Sequence, residues 1–480
     1  MIWETVIGLE VHVQLRTRTK MFCADRTSFG DPPNTNVCPV CLGLPGALPV
    51  PNAEAIRLAV RAAFALGCTV HETSVFARKN YFYPDLPKGY QISQFDKPLA
   101  TGGSVTFESA ERGPVRVGIT RLHVEEDAGK LLHDRFPGKT AVDLNRAGIP
   151  LAEIVSEPDL RSPAEARAYL ATLRQILIYA GASECSMEQG SLRVDANISI
   201  RPPGESRLGT KTEVKNMNSF ANVERALEAE RDRQRALLES GQRVEQVTLL
   251  FNAATGRVKP TRSKEESHDY RYFPDPDLPP LVLSPTWIAE QRALLPELPD
   301  AKRARLEAAY GIPAYDARVI TSERDLAEYF EAVVRAGADP KVAANWVMGE
   351  VMTSYNATGR FPVTATRLAS LIQLVAAGTV SHQAAKRVYT ELGESGQDPR
   401  AVAERLGLLQ VSDQAGLTGW VDEVLAAHPE EVSRFRAGEA KLMGFFVGQV
   451  MKRSQGKADP KAVQPLLQSR LRLTAGTGAP

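Results

Sequence analysis

"VRVGITRLHVEED", residues 115–127, decides how the first half of this chain folds. Apolar Val115, Val117 and Ile119 alternate with polar or small residues, the period of a strand with one buried face. The alternation slips near Thr120 and Arg121 and then resumes. In that strand His123, Glu125 and Asp127 share one face, and Leu122, Val124 and Glu126 the other. Three consecutive carboxylates repel one another, and the formal net charge of the chain is only +1. Two readings are open: the solvated edge of a sheet, or a cation site.

Other stretches repeat the pattern. In "IGLEVHVQL", 7–15, Glu10, His12 and Gln14 share a face, with Leu9, Val11 and Val13 opposite. "RVDANIS", 193–199, puts Arg193, Asp195 and Asn197 together, and "TEVKNMNSF", 212–220, pairs Glu213 with Lys215. "DLNRAGIPLAEIVSEPD", 143–159, carries Asn145, Arg146 and Glu153, and "HDYRYFPDPD", 268–277, mixes His268, Arg271, Asp275 and Asp277 with aromatics. Carboxylates hold hard cations such as Mg²⁺, and Lys or Arg stabilises a phosphoryl group in transfer. Helical periodicity covers 53–66, 162–180 (Ser162 as N-cap, Pro163 following) and 220–240. Strands mixed with these helices predict an α+β domain over 1–290 with an antiparallel sheet, the proline-rich 269–285 being its exit. Helical texture predicts an all-α domain over 291–405 and a small helical tail over 406–480.

The 480 residues match about three domains. No apolar run approaches the ~20 residues of a membrane span, and no leader is evident, so a cytoplasmic protein is expected. "HDRFPGKT", 133–140, ends like a phosphate loop but has His133 in place of the first glycine, and is read as a surface loop. No GxGxxG is present, so any nucleotide must lie on the sheet. Cys38-Pro-Val-Cys41 is a zinc half-site; Cys23 and Asp25 supply a possible second half, the other reading being plain packing. Cys68 and Cys185 read as core. "ARKNYFYPDLPKGY", 77–90, interleaves Arg78, Lys79 and Lys88 with Tyr81, Phe82, Tyr83 and Tyr90, either a stacking surface for a base or a packed loop. Residues 431–480 hold nine Lys/Arg against three acids, a candidate RNA-backbone face or a solvated helix face. "LMGFFVGQVMK", 442–452, reads as core.

Taken together, "IGLEVHVQL", "NVCPVCLGLPGALPV", "ARKNYFYPDLPKGYQISQ", "HVEEDAGK", "DLNRAGIPLAEIVSEPD", "RVDANISIRP", "TEVKNMNSF", "SKEESHDYRYFPDPDLPP" and "LMGFFVGQVMKRSQGKADPKAV" resemble the GatB family, the B subunits of bacterial aspartyl/glutamyl-tRNA amidotransferases, in order and over essentially the whole chain. The resemblance implies a cradle domain with a glutamine synthetase-like core. It implies ATP- and Mg²⁺-dependent phosphorylation of the side-chain carboxylate of Glu-tRNA(Gln) or Asp-tRNA(Asn). Ammonia then displaces phosphate, delivered within a heterotrimer by the amidase A subunit, which the small C subunit clasps. Glu10, His12 and Glu125 are the expected Mg²⁺ residues, with Glu126 and Asp127 as weaker catalytic candidates. Arg193, Lys215 and Arg271 are offered as a phosphate clamp on chemistry more than on resemblance. Lys79, Tyr81, Asn145, Glu153, Asp195 and Glu213 are candidate nucleotide or metal contacts. Many family members carry cysteine at Asp25, which leaves zinc open. The chain shows no Gly-Gly-Ser-Ser amidase loop and no Gly-x-Cys-x-Gly elbow, so ammonia from glutamine is expected from a partner. The competing readings are a tRNA-binding scaffold and a ligase for a small free carboxylate.

Overall fold

The computed structural model describes residues 2–261, 269–410, 414–454 and 456–472. His268 lies outside them. The chain divides into two compact units, Met1–Pro299 and Asp300–Pro480.

The first unit is built on a ten-stranded sheet. Its strands are β1 (Glu4–Gln14), β2 (Thr69–Val70), β3 (Ala100–Thr101), β4 (Ser104–Ser109), β5 (Gly113–Glu126), β6 (Pro150–Ser156), β7 (Leu192–Arg201), β8 (Thr212–Lys215), β9 (Thr248–Asn252) and β10 (Arg257–Pro260). They run β10-β9-β8-β7-β1-β6-β5-β3-β2, with β4 also on β5. β1 is central because both of its neighbours can pair along much of its length. Leu9, Val11 and Val13 are buried on its apolar face while Glu10, His12 and Gln14 alternate opposite, as period two requires. β5 contains the slip seen in the sequence. Val155 pairs with Arg121 but Ser156 pairs with Ile119, so Thr120 is the extra residue of a bulge.

One pairing departs from an antiparallel sheet: β8 and β9 run parallel, Glu213 opposite Thr248. The chain between them is the helix α3, and a parallel pair needs such a crossover. The helices α1 (Ala53–Ala65), α2 (Pro163–Tyr179) and α3 (Phe220–Glu239) start at side-chain caps from Asn52, Ser162 and Ser219. Their apolar stripes join the apolar side of the sheet in one core. The polar side is left for chemistry.

The stretch 269–285 is not an exit. Phe273–Pro274 pairs with the strand Ala77–Asn80, and the buried Asp275 accepts from Arg78 Nε at 2.9 Å. The helix Pro285–Ala293 that follows still packs on the first core through Trp287 and Ile288, which carries this unit past 290. The reason is an ion pair and two two-residue strands, the second being Leu281–Val282 on Thr73–Ser74, too short a signal to read from proline content. "HDRFPGKT" forms the exposed tip of a hairpin, Lys130–Phe136 with Lys139–Asp143.

The second unit is helical. It contains two apolar clusters, one over 306–403 around Trp346 and Phe330, the other over 417–471 around Phe446 and Val450. Among the described residues no helix is long and apolar enough to cross a membrane.

Candidate functional site

The polar face of the sheet converges on three strands. Glu153 on β6 stands directly opposite His12 on β1 and opposite His123 on β5. Glu125 lies two residues beyond His123, on the same face. His12 Nε2 is 3.2 Å from Glu153 Oε2 and 3.7 Å from Glu125 Oε1. One ligand atom from each of His12, Glu125 and Glu153 lies within 4.8 Å of the others. An octahedral Mg²⁺ with bonds of about 2.1 Å has ligand–ligand edges of about 3.0 Å, so rotations of these side chains fit the trio to one face of the ion. Burial disfavours an imidazolium at His12, yet the hydrogen bond to Glu153 and the charges of Glu125, Glu153 and Asp195 outweigh it and lift its pKa to about 9. Burial pushes Glu125 and Glu153 up in turn, but His12 and His123 overcome it and hold both below the usual carboxylate range. A cluster of two buried carboxylates therefore stays ionised and needs positive charge in its midst, supplied by protonated His12 or, once that proton is displaced, by a cation.

A cleft of about 270 Å³ opens beside the trio. Its lining includes His12, Lys79, Tyr81, Glu125, Asp127, Arg193 and Asp195, seven residues singled out in the sequence. Arg146, named in the sequence beside Asn145, lines it as well, and so does Gln91, to which the sequence alone gives no role. Asp127 is buried and already neutralised: Arg193 Nη2 donates to it at 2.8 Å, Gln14 Nε2 at 3.0 Å, and Arg146 Nε lies 3.7 Å away. Arg146 also donates to Ala128 O and Gly129 O at 3.0 and 2.5 Å. Gly129 is fixed there because a Cβ would stand 2.9 Å from Asp85 O. Asp127 thus works as a strut that aims two guanidinium groups at the cleft. Lys215 sits between Asp195 (2.6 Å) and Glu213 (2.9 Å), which raises its pKa against the cost of burial.

An aromatic wall flanks the acids. Tyr81 packs edge-on to Tyr270, Tyr270 edge-on to Tyr272, and Tyr272 stacks on the half-exposed Phe95 at 4.1 Å. Lys79 Nζ lies 4.8 Å from the Tyr270 ring centroid. Burial, then the charge of Glu125, pushes the phenols of Tyr81 and Tyr272 up, and Tyr81 lines the cleft together with Glu125.

Six sequence candidates are neither in the trio nor in the cleft lining: the paired Lys215 and Glu213, and four more. Glu10 is on the same face but outside the trio; it accepts from Asn197 Nδ2 at 3.1 Å, and burial with Glu153, Glu213 and Asp195 nearby raises its pKa. Glu126 faces away and is bonded to Lys88 Nζ and Ile92 N. Asn145 braces the 31–36 loop through Asn36 N and Pro32 O instead of lining the cleft. Arg271 is exposed, with a left-handed backbone (φ 44°).

Away from the cleft, Cys23, Asp25, Cys38 and Cys41 form a second compact set. A tetrahedral zinc site with bonds of about 2.3 Å has S–S edges of about 3.8 Å. Here Cys23–Cys41 is 3.5 Å and Cys38–Cys41 is 3.9 Å, with Asp25 Oδ2 3.0 Å from Cys41 Sγ. The hydrogen bond from Cys23 draws the Cys41 thiol down to about 6. Lys20, wholly buried, places Nζ 3.4 Å from Cys41 Sγ and offsets the negative charge of such a ligand set. Cys68 and Cys185 are buried apart from this set.

A carboxylate–imidazole trio beside aimed guanidinium groups, on the open side of an α+β sheet, is a set of groups suited to group-transfer chemistry. Comparison with known proteins makes the class specific. Residues 5–289 match the family described as the GatB/GatE catalytic domain, and 328–471 match the one described as the GatB domain. The chain is 54% identical to the B subunit of aspartyl/glutamyl-tRNA(Asn/Gln) amidotransferase from Moorella thermoacetica over 479 residues, 98% of this chain and 100% of that protein. Identity is 52% to the same-named protein of Geobacter sulfurreducens and 53% to that of Thermosynechococcus vestitus, over 98% of this chain in each case and 100% and 96% of those proteins. The chain belongs to the GatB family of tRNA amidotransferase subunits.

Proposed function

We propose that this chain activates the side-chain carboxylate of a misacylated tRNA, Glu-tRNA(Gln) and/or Asp-tRNA(Asn), and converts it to the amide. The observation that carries this reading is the His12–Glu125–Glu153 trio with Arg193 beside it. The names of the relatives support the substrate class. A carboxylate is a poor electrophile. One of its oxygens attacks the γ-phosphorus of ATP, the bond to ADP breaks, and an acyl phosphate forms. Ammonia then adds at the acyl carbon, the carbon–oxygen bond to the phosphoryl group breaks, and the proton lost by nitrogen leaves on the inorganic phosphate. Mg²⁺, held by His12, Glu125 and Glu153, would neutralise phosphate charge during the transfer. Arg193, aimed by Asp127, faces the anionic groups in the cleft. Lys79 and the Tyr81–Tyr270–Tyr272 wall form a stacking surface for a terminal base or for the ATP adenine.

The reading includes three further assignments. The second unit is two domains dividing near 405, the tail touching tRNA phosphates. Of the nine basic residues there, Arg434, Arg453 and Arg470 are paired with Glu439, Glu423 and Asp422, and Lys452, Lys457 and Lys461 are among the six others that carry the attraction. An amidase partner and a small third subunit supply ammonia in the cytoplasm. Cys23, Asp25, Cys38 and Cys41 hold a structural zinc.

The test is ADP release by this chain with its partner subunits, Mg²⁺, ATP, Glu-tRNA(Gln) and free ammonium. Turnover that requires the charged tRNA and is abolished by Glu125→Gln is expected. Full turnover in Glu125→Gln would make this chain a tRNA-holding scaffold.

A further inference from the structure

We infer that His123 is a positioning residue for the cation: it holds Glu125 and Glu153 in their ligating orientation without touching the ion. The inference rests on the reading that His12, Glu125 and Glu153 hold a cation. His123 is 3% exposed, as is Glu125, and it is not among the residues whose ligand atoms all lie within 4.8 Å of one another. Its Nε2 is 3.5 Å from Glu125 Oε2 and 3.5 Å from Glu153 Oε2. Arg121 Nε donates to Nδ1 at 3.4 Å. An arginine nitrogen only donates, so Nδ1 is the acceptor and the ring hydrogen lies on Nε2, between the two carboxylates.

The division of oxygens follows. Glu125 Oε2 is held from behind by His123 and by the Ser93 hydroxyl, which donates at 3.0 Å, while Oε1 faces His12. Glu153 Oε2 lies between His12 and His123, and its Oε1 faces Arg121 at 3.6 Å. Without a donor behind them, two buried carboxylates swing apart under mutual repulsion, and the cation must gather them at its own cost. His123 reaches both carboxylates because it is directly opposite Glu153 across β5 and β6 and two residues from Glu125 along β5.

The test is Mn²⁺ affinity of the full chain, read by electron paramagnetic resonance with Mg²⁺ competition. Three variants separate donor from volume. His123→Ala removes both, His123→Phe keeps volume without the donor, and His123→Gln restores an amide donor. We expect Mn²⁺ binding to weaken by about 10- to 100-fold in the Ala and Phe variants and only a few-fold in Gln. Wild-type affinity in the Phe variant overturns the inference and leaves His123 as packing; so does a loss in Gln equal to that in Phe. Should Ala fail to fold, Phe and Gln still decide. The underlying cation site has its own control: if Glu125→Gln binds Mn²⁺ as the wild type does, that reading fails, whatever the His123 variants do.

Discussion

Asp127→Asn separates a strut from a metal ligand. The side chain keeps its shape and loses its charge. In the native chain that carboxylate is 2% exposed and receives Arg193 and Gln14, with Arg146 nearby. The amide has one acceptor oxygen, and its NH₂ must face at least one of those donors. Removing one partner of a buried ion pair costs roughly 3–5 kcal/mol. Arg193 and Arg146 are each about a third exposed and recover part of their hydration, so the lower end applies, about 3 kcal/mol. At roughly 2 °C per kcal/mol for a unit of this size, calorimetry of the full chain should show the first-unit transition about 6 °C lower. Mn²⁺ affinity should change little, because no Asp127 atom belongs to the trio. Turnover should fall through loss of the Arg193 aim, with a raised KM for the charged tRNA or ATP. A large loss of Mn²⁺ affinity with an unchanged transition temperature would refute the strut and place Asp127 on the cation.

Three other outcomes follow from the same structure. Burial raises the Glu331 carboxyl, but Arg305 and Lys302 overcome it and hold its pKa near 2. Its contribution is complete above the ordinary 4.5 and disappears as pH falls toward 2; Glu331→Gln should flatten the acid limb of helical-unit stability in that window, and an unchanged limb would contradict the pairing. Co²⁺ added to the metal-free chain should produce the tetrahedral absorption of a three-thiolate site, lost in Cys41→Ser and weakened in Asp25→Ala; no such absorption would leave the cysteines as packing. Lys452→Ala with Lys457→Ala and Lys461→Ala should weaken tRNA binding and lower its salt slope by up to about 0.9 for each phosphate no longer neutralised, with ammonium-dependent chemistry at saturating tRNA unchanged; an unaltered slope would move the RNA-binding face elsewhere.

What the sequence made legible was local. Period two tells which side chains of β1 and β7 share a face, and the slip at Thr120 marks a real bulge. The cysteines can be grouped because all four donors fall within residues 23–41, in two close pairs. The lateral register is not legible. That Glu153 stands between His12 and His123 depends on two strand pairings, one of which joins residues more than 100 positions apart, and no local period encodes either. The family resemblance names Glu10 for the metal and leaves Glu153 among the weaker nucleotide or metal candidates, whereas the register sets Glu153 against His12. Asn145 looks functional because it stands beside Arg146, yet its amide serves the 31–36 loop. The return of 273–274 to a strand pairing rests on two residues, one of them proline, and on the Arg78–Asp275 pair. The parallel pairing of β8 and β9 follows from the crossover through α3, which the helical period shows but whose strand direction it does not.

The most direct measurement is anomalous diffraction from crystals of the full chain soaked in Mn²⁺. The account predicts one strong peak bounded by His12 Nε2, Glu125 Oε1 and Glu153 Oε2, with His123 behind it and not bonded to it. A peak at Glu10 and Asp195 instead, or none at the trio, would contradict the site from which the proposed chemistry is drawn.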